Sequence, residues 1–228
     1  GPVCSGDSVD ITMQIVTNGT YEWYNIDGTL MGTNYTINVP GITRDTAFLG
    51  VVFVNGCRSE DSVQILVNSI PSTPEISALS DTICEFDLLQ LSTSTIAATY
   101  NWTGPNGFAS NLFSPSIPAA DILNSGIYYL NITNANSCLS SDTSIRIVVN
   151  PLPFQPSISG AASICNGDTI LLQGSTCDRL TWFPPGGASQ IFTTTSTLQV
   201  PSTSPDYQSG IWLVRCEDTL TGCFSSLS

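Results

Sequence analysis

The chain has 228 residues, enough for two or three domains, and 41% of them are hydrophobic, so it can bury real cores. Eighteen acidic residues face five basic ones, all arginine, for a formal charge of -13, which argues against nucleic acid and anionic membrane as partners. Histidine is absent, which removes the commonest general base and metal ligand, and eight cysteines in such a chain point to disulfides in an oxidising compartment.

From the N-terminus, Val9, Ile11 and Met13 alternate with Asp10 and Thr12, the period-two pattern of a half-buried strand. YEWYN follows around Trp23, then AFLGVVFVNGC ending at Cys57. VNSIPSTPEIS, residues 67–77, carries two prolines three apart, which favour an extended, stiffened joint. The order then repeats: ICEFDLLQLS after Cys84, YNWTG around Trp102, and IYYLNITNANSC ending at Cys138, with Tyr128, Leu130 and Ile132 in alternation. VNPLPFQPSIS, residues 149–159, restates the joint. The third round has ICNGDTILLQG after Cys165, LTWFP around Trp182 and IWLVRCEDTLTGC ending at Cys223.

Cys4, Cys84 and Cys165 are 80 and 81 residues apart, and Trp23, Trp102 and Trp182 are 79 and 80 apart. Features that recur in one order at one period define a tandem repeat. Turn signals interrupt the strands at SGD, DGT, GPNG, NGD and PPGG, and no stretch holds a helical period. The expected fold is all-β, with three β-sandwich domains at 1–69, 70–150 and 151–228. The first strand of the first domain and the last strand of the third are expected to be incomplete, as in a window on a longer array. No apolar run approaches the ~18 residues of a membrane helix, so no membrane insertion is expected here.

Candidate chemistry is sparse. Glu60 with Asp61, and Glu85 with Asp87, fall in predicted turns, where solvated acids are ordinary. The oxygens of NIDG and NGD do not form a calcium series. No catalytic residue, metal or cofactor is expected. Trp23, Trp102, Trp182 and Trp212 read as core, because the first three recur at one place in each unit. Four N-glycosylation sequons begin at Asn18, Asn34, Asn101 and Asn131.

A tryptophan on an early-middle strand, followed by an aromatic near the start of a late strand, resembles the immunoglobulin-like domains. NSGIYYL at 124–130 looks like their tyrosine corner, in which the Tyr128 hydroxyl bonds back to the backbone. Phe48 and Trp212 hold the aromatic place in the other units but lack that hydroxyl. The fuller phrase is C-x-G-D, a central W, S-G-x-Y-x-L-x-x-T-N and a closing C. It is similar to immunoglobulin-like and PKD-like repeats of very large secreted surface proteins of the Bacteroidetes, including gliding and attachment adhesins exported by the type IX route.

That resemblance implies three tandem immunoglobulin-like sandwiches in an extended array on the extracellular cell surface. It implies a non-enzymatic stalk or fibre segment whose partners are neighbouring repeats of one longer chain, or other copies in a filament. Alternatives are a glycan- or protein-binding module and the accessory domains of a secreted hydrolase. It also marks Asp-Ser/Thr-apolar sites for O-glycosylation at Ser8, Thr46, Ser62, Thr82, Thr169 and Thr219.

The cysteines admit two registers. Bonds within units would join Cys4–Cys57, Cys84–Cys138 and Cys165–Cys223, at similar separations. Bonds between units would join Cys57–Cys84 and Cys138–Cys165, each 27 apart. The first register meets a difficulty, since one cysteine precedes a turn at the far end of a sandwich from the late hairpin. Cys177 and Cys216 remain, near the familiar immunoglobulin position between sheets.

Overall fold

Each third of the chain folds into two sheets facing each other across their own core, and the second shows the plan most fully. The computed structural model describes residues 2–187 and 189–228. One sheet of the second unit orders Ser116–Ile117, Leu89–Thr93 and Ile76–Ala78. The other orders Thr82–Cys84, Thr143–Asn150, Gly126–Thr133, Thr99–Thr103 and Ala109–Ser110. The chain thus starts in one sheet and crosses to the other, where Thr82–Cys84 runs parallel to the final strand, Cys84 opposite Asn150. This is the two-sheet, largely antiparallel architecture of an immunoglobulin-like sandwich.

The alternation read from sequence fills the space between the sheets. Leu89 and Leu91 come from one side, and Trp102, Tyr128, Leu130, Ile132, Ile147 and Val149 from the other. A separate cluster in the first unit sets Ile11, Val39 and Ile42 against Trp23, Phe48 and Ile65. Here Val3–Cys4 lies parallel to Val67–Asn68, with Cys4 opposite Asn68. The third cluster sets Leu172, Leu198 and Val200 against Leu180, Trp182 and Val214. After Cys223 the chain turns back along Leu213–Glu217, the Ser225 N–H donating to Cys216 O at 2.9 Å and Ser228 N–H to Val214 O at 3.0 Å.

The three recurring tryptophans are buried, but their indoles differ. Trp102 Nε1 donates to Leu112 O at 2.9 Å and Trp182 Nε1 to Thr193 Oγ1 at 3.0 Å. Trp23 Nε1 is buried without a partner. Trp212 departs from the core expectation, because it is only half-buried against the margin of the third cluster. RSEDS departs from the turn expectation. It lies within Cys57–Ile65, an edge strand, with Arg58 paired to Glu60.

The tyrosine corner is present in the second unit: the Tyr128 hydroxyl donates to Asn124 O at 2.9 Å. Gly126, at φ 145°, lets the chain pass under Pro105, where an added Cβ would meet the ring at 2.6 Å. The third unit repeats that approach with Gly210 under Pro185, though its aromatic is Trp212. Burial, and then the nearby Asp121 carboxylate, raise the Tyr128 hydroxyl above the ordinary phenol range.

Tyr128→Phe leaves the Asn124 carbonyl without its donor and is expected to destabilise the second unit by about 1–3 kcal/mol in urea unfolding. Because folding raises this pKa, the contribution is whole below the unfolded value of about 10 and is lost as pH climbs from there through the folded value. The wild type should lose stability over that alkaline window, and Tyr128→Phe should flatten that loss.

Candidate functional site: the disulfide-clamped junctions

The chemistry-bearing residues gather at the joints between units. Cys4, Cys84 and Cys165 each open the same turn. Their backbone N–H groups donate to Asp7 Oδ2, Asp87 Oδ2 and Asp168 Oδ2 at 3.0, 3.0 and 3.2 Å. The residue between, Gly6, Phe86 or Gly167, takes positive φ in all three. The C-x-x-D spacing therefore encodes the turn locally, through an Asx-type bond. Glu85 and Asp87 lie in this turn, as expected of them, with Asp87 as its cap.

In the first two units a parallel pairing then fixes where the turn sits. Ser5 N–H donates to Asn68 O and Glu85 N–H to Asn150 O, both at 2.8 Å. Asn68 and Asn150 begin the two proline joints. The first cysteine of a unit therefore stands beside the point where the chain leaves that unit. Pro74 and Pro156, the second prolines of the spaced pairs, are buried.

The closing cysteines sit on late hairpins. Gly56, Ser137 and Gly222, each just before one of them, all adopt positive φ. Asn134 Oδ1 accepts from the N–H groups of Asn136 and Cys138, at 3.0 and 3.1 Å. Asp218 does the same work in the third unit, where the N–H groups of Thr221 and Leu220 hold its carboxyl below the usual range. Cys57 has a shorter turn, Asn55–Gly56.

The structure joins Cys4 to Cys138 and Cys84 to Cys223, with Cα atoms 5.5 and 5.6 Å apart. The first cysteine of the first unit and that of the second each bond the closing cysteine of the unit that follows. This corrects the within-unit pairs Cys4–Cys57, Cys84–Cys138 and Cys165–Cys223, and Cys57–Cys84 and Cys138–Cys165 are not formed either. The physical reason is the one that troubled the within-unit register. The turn cysteine lies at the exit end of its sandwich and the hairpin cysteine at the entry end, so they meet only across a joint. At the first joint Asn134 Nδ2 adds a hydrogen bond to Ser69 O at 2.8 Å. The third bond, Cys177–Cys216, lies within the last unit. Cys57 and Cys165 are exposed free thiols.

The remaining marked residues lie elsewhere. Ser8, Ser62, Thr82, Thr169 and Thr219 are exposed and Thr46 is half-buried. They are dispersed over the three units and form no common site. Among the described residues, no group of three or more Cys, Asp or Glu side chains could hold a metal ion. Nor is any helix there long and apolar enough to cross a membrane.

The fold makes these immunoglobulin-like modules, and one family model matches within the first of them. Residues 1–70 match the model of a family described as "Ig-like domain CHU_C associated". No curated protein matches the chain. Among solved structures, the fibronectin(III)-like modules of Clostridium thermocellum CbhA align at 15% identity and a TM-score of 0.37, over 66% of this chain and 89% of that one. Murine CEACAM1b aligns at 16% and 0.33, over 65% and 95%. A structure of the mouse coronavirus receptor-binding domain complexed with its murine receptor aligns at 13% and 0.39, over 68% and 96%.

The junction pairing has a direct test. Alkylation of the denatured, unreduced chain should label two thiols, Cys57 and Cys165. Proteolysis without reduction should release linked peptides containing Cys4 with Cys138 and Cys84 with Cys223. Linked peptides containing Cys4 with Cys57 would refute the register.

Proposed function

We propose that the chain is a non-enzymatic, load-bearing segment of an extracellular bacterial surface protein, a stalk or fibre that holds neighbouring modules in line. The observation that carries this reading is the pair of disulfides that cross successive joints in one register. Disulfides persist in oxidising, extracytoplasmic surroundings. A disulfide inside a module secures that module alone, whereas these two secure the joints, the weakest points of a tandem array under tension.

The two bonds interlock. They close loops with sequence separations of 134 and 139, and the two loops overlap across Cys84 to Cys138, most of the second unit. In the chain-entropy model each closure stabilises the folded array by about 5 kcal/mol. Tension applied between Cys4 and Cys223 finds a covalent short cut: across to Cys138, back along the chain to Cys84, and across to Cys223. Short proline joints, each with one proline buried, resist bending better than a Gly/Ser tether would. The high negative charge keeps such an array soluble and discourages lateral association.

Force spectroscopy tests this reading. Between Cys4 and Cys223 the oxidised chain should stop extending at the short cut of roughly 54 residues, at most about 190 Å. After reduction it should reach about 770 Å for the full run of roughly 219 residues. Equal lengths in the two states would defeat the clamp. Small-angle scattering of the oxidised chain should give the profile of a rod, and a compact globule would count against the extended array.

A further inference from the structure

The two free thiols occupy the two positions that the observed bonds use. Cys165 is equivalent to Cys4 and Cys84: its N–H is capped by Asp168, as theirs are by Asp7 and Asp87, and Gly167 has the same positive φ. The turn keeps this form although residues 161–169 pair with no strand among the described residues. Cys57 is equivalent to Cys138 and Cys223, following a positive-φ residue at the tip of the late hairpin. Burial separates the bonded from the free. Cys138 and Cys223 are 0% exposed where they meet the preceding unit, whereas Cys57 and Cys165 are exposed.

We propose that Cys57 and Cys165 are the two open halves of the same inter-unit disulfide. Cys165 takes the closing-hairpin cysteine of a unit of this repeat, Cys57 takes the turn cysteine of one, and a second copy of the chain supplies both. Cys165 of one copy bonds Cys57 of the next, end to end, in the register of Cys4–Cys138 and Cys84–Cys223. The contact is heterologous, so repetition extends a line of copies rather than closing a symmetric dimer. The proposal rests on the register and on no assumption about load.

The chemistry is thiol–disulfide exchange with a disulfide oxidant, for which oxidised glutathione serves as the probe. The Cys165 thiolate attacks one glutathione sulfur, forming a mixed disulfide and releasing one glutathione thiolate. The Cys57 thiolate of the second copy attacks the Cys165 sulfur and releases the second. Two cysteine thiols become one disulfide, and their two protons and two electrons end on two glutathione thiols. An exposed thiol on each side leaves the attack unobstructed.

The test uses the folded chain with Cys57→Ser and Cys165→Ser, two substitutions at exposed, unbonded positions. In a glutathione redox buffer the wild type should build a ladder of oligomers on non-reducing gels. An equimolar mixture of the two variants should stop at a heterodimer whose linked peptides contain Cys165 and Cys57. The mixture should dimerise at least tenfold faster than either variant alone. Equal rates for the mixture and the single variants, no dimer in the mixture, or a Cys57–Cys165 bond confined to wild-type monomer would each overturn the proposal. A force-extension result that defeats the load-bearing reading would leave this test untouched, so the two can fail separately.

Discussion

The parallel pairing of a unit's cysteine strand with its own final strand governs how the joints of this protein are built. Cys4 lies opposite Asn68, and Cys84 opposite Asn150. That pairing brings the start of the first and second sandwiches to the place where the chain leaves each of them. Everything at the joint follows from it, because the turn beyond the cysteine then faces the late hairpin of the next unit. Without the crossing of the first strand from one sheet to the other, the cysteine would stay at the entry end and the bond would close within the unit.

The joint combines three kinds of constraint that act on different states. The prolines limit the backbone of the unfolded and the folded chain alike. The hydrogen bond from Asn134 to Ser69 acts only in the folded state and gives a modest net gain. The disulfides act mainly on the unfolded ensemble and continue to hold after a module has lost its core. A joint built this way is constrained in the folded and the unfolded state alike. The hydrophobic clusters, one per unit, stabilise the modules but do nothing to hold one to the next.

Much of the fold is legible in the sequence. The alternation of Tyr128, Leu130 and Ile132 marked a strand with one buried face, and all three are buried. NSGIYYL marked the corner bond from Tyr128 to Asn124, since a tyrosine placed after Ser-Gly on a late strand has a backbone carbonyl within reach. Where local sequence misleads, the deciding contacts are distant in sequence. RSEDS looks like a turn by composition, yet nine residues of partner strand, Thr46–Val54, pull it into an edge strand. Trp212 shares its place with Tyr128 in the motif but settles at the margin of a smaller core.

The amino-acid sequence by itself determined the repeat, the class of the modules and the shape of each C-x-x-D turn, because these depend on periodicity and on bonds spanning three residues. Only the tertiary structure decided which cysteines meet. Separation along the chain favoured partners 53 to 58 residues apart, and the structure chose partners 134 and 139 apart. The reason is geometric: a disulfide forms where Cα atoms come within about 7 Å, and that distance was set by strand direction and by the end of the sandwich on which each turn lies.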